Sequence, residues 1–74
     1  MSQDTGERPE NLIEGIQRQC NRVREILPLY DEIPTGAFAA AMMRRSIAGA
    51  ELAIARGDVI AMLAAYRDLA GYEA

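Results

Sequence analysis

Ala53-Ile54-Ala55-Arg56-Gly57-Asp58-Val59-Ile60-Ala61-Met62 (residues 53–62) decides how this chain folds. An apolar helical pattern runs into Gly57, the residue that most readily takes the left-handed conformation closing a helix C-terminus. Asp58 follows, a side chain suited to accept a hydrogen bond from the free N–H groups of a new helix. The stretch therefore reads as a helix stop and a helix start with no loop between them. Arg56-Gly57-Asp58 also spells a tripeptide read by cell-adhesion receptors, but all three residues fit the cap rules, and the structural reading is adopted. Working forward, Val59, Met62, Leu63, Tyr66 and Leu69 space out as the inward face of a third helix over residues 59–70, which Gly71 ends.

Working backward, the second helix is expected from Gly36 to Arg56, roughly 30 Å long at 1.5 Å per residue. Its expected core stripe is Ala39, Met43, Ile47, Ala50 and Ile54, flanked by Phe38, Met42, Gly49, Leu52 and Ala53. Ser46, Gly49, Ala50 and Ala53 form a flat face of small residues that another helix can approach closely. Upstream, Pro34 forces Ile33 into an extended conformation, Thr35 is placed to cap the second helix, and Gly36 permits a tight turn. The first helix opens at Pro9, with Glu10 and Glu14 where the helix dipole favours acids. Its apolar residues Ile16, Cys20, Val23, Leu27 and Tyr30 recur at helical spacing, and Glu14, Arg18, Arg22 and Glu25 are spaced for pairing on the opposite face. Pro28 predicts a stop or kink, so the first helix is expected over 9–28. No segment alternates with period two. The expectation is an all-α fold of three helices (long, long, short), with residues 1–8 a flexible polar tail and 9–74 one helical domain.

Composition narrows the function. The chain has 74 residues, half of them apolar, with one Phe, three Tyr, no Trp and no His. All eight positive charges are Arg. Without His or Lys, a His-based triad, a His metal site and a Lys Schiff base cannot form within one chain. The single Cys excludes an intrachain disulfide and a Cys-rich metal site. No cofactor is implied. Residues 1–34 carry four Arg against seven acids and residues 35–74 four against four, which together give the net charge of −3. Neither half is a basic arm, which argues against nucleic acid as a partner. No apolar run approaches the ~18 residues of a membrane span, and the polar, acidic start does not resemble a signal peptide. These features predict a cytoplasmic protein with Cys20 a reduced, buried hydrophobe. A core this small rarely supplies more than ~3–5 kcal/mol, so a homodimer or higher oligomer is expected to complete the arrangement.

Two sets of residues stand out as candidates for binding. Thr35, Gly36 and Ala37 open a helix whose free N–H groups attract anions, and Arg44 and Arg45 lie two turns on. The structural alternative is a plain cap with two solvated arginines. Phe38, Met42 and Met43 read either as core or as a contact surface, because a third helix of ~12 residues covers only half of a second helix of ~21. The carboxylates form no convincing catalytic pair, since Asp31 and Glu32 are adjacent in a connector and Asp58 serves as a cap. No nucleophile sits with a base, and an enzyme is not expected.

Glu32-Ile33-Pro34-Thr35-Gly36-Ala37-Phe38, followed by Ala40-Ala41-Met42, resembles small helical proteins of bacteriophages and prophages of proteobacteria. The likeness runs from Asn11-Leu12-Ile13-Glu14-Gly15 to the Gly57-Asp58 turn. It implies a phage accessory gene in a bacterial host cell and carries over no functional residues. Such proteins often block host machinery, bacterial immunity included. The expectation is a non-enzymatic binder that masks a host protein or traps a small anionic nucleotide signal. A helical assembly or regulatory module with no defence role is the alternative.

Overall fold

The computed structural model describes residues 9–73, with side chains from Asn11 onward. The expected tail, residues 1–8, lies outside that range. Three α-helices follow one another: α1 (Pro9–Asp31), α2 (Ala37–Arg56) and α3 (Val59–Ala70), with a single 3-10 turn at Pro34–Gly36 before α2. Each helix packs against both others, and the described residues contain no strand. The fold is all-α, as the periodicity predicts.

The turn between α2 and α3 forms as its residues dictate. Gly57 is left-handed, with φ 67°. Its N–H donates to the Ile54 carbonyl at 3.0 Å and the Asp58 N–H to the Ala53 carbonyl at 3.2 Å, the paired bonds that close a helix C-terminus. The Asp58 carboxylate accepts from the Ala61 N–H at 3.1 Å. Three details depart from expectation. First, α1 does not stop at Pro28 but runs through it to Asp31. Pro28 sits in the last turn, where its missing N–H removes one intrahelical bond, and Leu27 and Tyr30 on either side of it pack against the core. Second, Thr35 does not cap α2. The N-cap is Gly36, with no side-chain hydrogen bond, because the chain enters α2 through the 3-10 turn. Ile33 is extended ahead of Pro34, as expected, at φ −105° and ψ 123°. Third, Gly36 does not open α2, which begins at Ala37. Its need for glycine is spatial: a Cβ there would overlap the Tyr30 carbonyl oxygen and lie 3.1 Å from the Tyr30 carbonyl carbon.

The core comprises Leu12, Ile16, Cys20, Val23 and Ile26 of α1, Met43, Ile47, Ala50 and Ala53 of α2, and Met62 and Leu69 of α3. On α2 the buried stripe is turned slightly from the expected one, with Ala40 and Ala53 buried and Ala39 and Ile54 half-buried. On α3 the correction is larger. Val59, Leu63 and Tyr66, expected inward, are exposed, and the inner face is Ala61, Met62, Ala65 and Leu69. Alanines at 61 and 65 let α3 lie close to the small face of α2, and that approach selects the face. The final turn of α3 is bonded to both other helices. Arg22 donates to the Leu69 and Tyr72 carbonyls, each at 2.8 Å. The Tyr30 hydroxyl donates to the Glu73 carbonyl at 2.8 Å, and the Tyr72 hydroxyl meets Ser46 Oγ at 2.9 Å.

Candidate functional site

The residues singled out for anion binding occupy separate places. The Gly36 N–H donates to the Ile33 carbonyl at 2.8 Å, so that amide is already used, and Thr35 and Ala37 are exposed on either side. Arg44 pairs with Asp31 at 2.6 Å, tying α2 to the end of α1. Arg45 points to the other side of α2 and lines a shallow groove with Met42, Gly49, Ala64 and Asp68.

The Phe38–Met42–Met43 group divides. Met43 is core, 1% exposed, whereas Phe38 is 77% exposed and Met42 38%. Phe38, Met42, Arg45, Gly49 and Leu52 recur at steps of four, three, four and three along α2, so they share one stripe. The stripe faces outward on the side next to α3. Arg45 and Gly49 of α2 line the same groove as Ala64 and Asp68 of α3. Ile60 on α3 is 81% exposed. A face with large apolar side chains at both ends and a small-residue middle results, with Arg45 and Asp68 on opposite walls. Neither of those two side chains has an ion-pair or hydrogen-bond partner among the described residues.

Two further hollows lie along α1. One, of about 480 Å³, separates α1 from α2, with Cys20 at its base. Arg24 and Glu51 pair across it. Burial pushes the Cys20 thiol above its usual 9.0, against the opposing pull of the nearby Arg24 and with a smaller push from Glu51. The other, of about 530 Å³, separates α1 from α3 and is walled by Leu12, Leu63 and Tyr66 with Arg18 and Arg67 at its edge. Sequence spacing missed this cleft because its residues come from two helices 45 or more positions apart. Glycine at position 15, two turns from Pro9 and with no turn to serve, was the one available signal. Among the described residues no His, Cys, Asp or Glu cluster could hold a metal ion, and no helix is long and apolar enough to cross a membrane.

Comparison with known proteins finds no matching family model, no matching curated protein and no matching solved structure.

Proposed function

We propose that this chain is a small, non-enzymatic accessory protein of phage type that acts in the cytoplasm of a bacterial host, as a pair of copies, by binding and sequestering a component of antiviral defence. The observation that carries the reading is the apolar start of α2 left in solvent, Phe38 at 77% exposure with Met42 one turn on. Contiguous exposed apolar surface of this kind marks contact sites rather than folding residues. Met42 adds an adaptable side chain suited to irregular partners. Arg22, Arg24 and Arg44 are engaged in structural bonds.

Pairing of copies is supported by the self-complementarity of the α2/α3 face. A two-fold axis running along the groove would set Arg45 against Asp68 of the second copy and Gly49 against its Ala64. The test of function uses bacteria that carry a defence system and express the full chain during phage challenge. Phe38→Asp should leave the melting temperature unchanged, since the side chain is solvated, and should abolish protection of the phage. Full protection by a folded Phe38→Asp variant would refute the reading.

A further inference from the structure

The α1/α3 cleft differs from the other hollows in bringing together two uncommitted cations from two helices. Arg18 comes from α1 and Arg67 from α3, and both reach the cleft. Neither guanidinium has an ion-pair or hydrogen-bond partner among the described residues, and the Tyr66 hydroxyl has none either. Arg18 is exposed, and its guanidinium lies over Gly15. Its Nη2 lies 3.9 Å from where a Cβ on Gly15 would stand, and the Tyr66 ring lies 3.1 Å from the same point. The missing side chain of Gly15 thus makes a floor on which a guanidinium and an aromatic ring edge sit side by side. Leu12 and Leu63 supply apolar walls, and the volume of about 530 Å³ falls in the range of small-molecule sites. Glu14 stands on the rim and leaves the cleft with one net positive charge.

From this arrangement we infer that the α1/α3 cleft binds a small organic phosphate monoester carrying a planar ring. The two planar guanidinium forks suit the phosphate oxygens, each able to donate two parallel hydrogen bonds. The ring of the ligand lies against Tyr66 and Leu63, and the Tyr66 hydroxyl donates to the ester. Glu14 accepts from a hydroxyl or amine of the ligand body and disfavours a bare polyphosphate. The site is separate from the Phe38 surface and adds a small-molecule ligand to the sequestration reading, on which it rests only for its biological use.

The probe is adenosine monophosphate, titrated into the full chain by calorimetry and by amide chemical shifts, with adenosine and inorganic phosphate as separate arms. Saturable binding of one adenosine monophosphate per chain is expected, with shifts centred on Gly15 and Tyr66. Adenosine and phosphate alone should each bind at least about tenfold more weakly, since each forgoes one half of the site. Arg18→Gln with Arg67→Gln should weaken the nucleotide by at least about tenfold with unchanged helicity and melting temperature. Arg56→Gln, outside the cleft, should leave binding intact. No saturable binding of adenosine monophosphate would overturn the proposal. So would equal binding by the Arg18/Arg67 variant, or phosphate binding as tightly as the nucleotide. Phe38→Asp should bind the nucleotide normally, so failure of the phage assay and failure of this site are read separately.

Discussion

Replacing Arg22 by Met should be the most damaging change at any arginine of the chain. Arg22 donates from Nη1 to the Tyr72 carbonyl and from Nη2 to the Leu69 carbonyl, each at 2.8 Å, and from Nε to the Gln19 side chain at 3.0 Å. Leu69 lies in the last turn of α3 and Tyr72 just beyond it, where carbonyls lack the regular donors of a helix. Hydrogen bonds from a charged donor contribute ~1.5–3 kcal/mol each. Against the pair stands the ordering of a long side chain, about 2 kcal/mol. Water replaces part of the loss because the site is half-buried, which leaves a net of ~1.5–2.5 kcal/mol for the variant. Met retains the aliphatic stem, so the difference isolates the head group. A chain of this length has a total stability of ~4–11 kcal/mol, so the melting temperature should fall by ~6–20 °C. Arg22→Lys, with a point charge in place of a fork, should fall between. Amide exchange should accelerate in the last turn of α3 before it does in α2. A Met variant within ~0.5 kcal/mol of the parent, inside the usual range of surface substitutions, would show that these bonds do not hold α3 down.

Gly36→Ala should destabilise by over ~2 kcal/mol in urea unfolding, because the new methyl meets the Tyr30 backbone, which cannot move without shifting the end of α1. Gly57→Val should cost over ~1 kcal/mol, since a β-branched residue resists φ 67°; a neutral result would misplace the α2–α3 turn. Cys20 gives a pH signature. Burial raises its pKa above the usual 9.0, so the unfolded chain loses the thiol proton first. Its contribution is therefore full below pH 9.0 and is lost as pH rises through the folded value. The stability difference between the parent and Cys20→Ala, measured at pH 7.5 and again at pH 10, should shrink at the higher pH.

The parts of the fold legible in the sequence are those set by local rules. Gly57 and Asp58 each determine a conformation within a few residues, and both cap as read. The face of α3 was not legible, because Val59 through Leu63 are apolar without a break and periodicity cannot choose among them. The choice falls to the fit of Ala61 and Ala65 against α2 and to the bonds holding Tyr72, both of which need the other helices in place. The charges follow the same logic. Glu51 has no favoured partner within its own helix but pairs with Arg24 of α1. Arg22, spaced for pairing along α1, turns to the end of α3 instead. Of the candidate site residues, Met43 separates from Phe38 and Met42 because the 100° step between adjacent residues puts one inside and its neighbour outside.

Exposure of Phe38 is the point where packing and function meet. The chain has one Phe and no Trp, and its core joins Leu12, Ile16, Val23, Ile26, Met43, Ile47, Met62 and Leu69 with the small residues Cys20, Ala50 and Ala53. Burying a Phe side chain contributes ~1.5–3 kcal/mol, a large fraction of the ~4–11 kcal/mol that holds such a chain folded. A sequence shaped only for stability would place its largest apolar side chain inside. Here α3 ends too soon to cover the first turn of α2, and Phe38 stands in solvent at 77% exposure. The core explains how the fold stands without it: aliphatic side chains and methionines from all three helices fill it, and Ala50 and Ala53 let the helices approach closely. Phe38 is therefore free to change without loss of the fold, and a variant there reads binding alone.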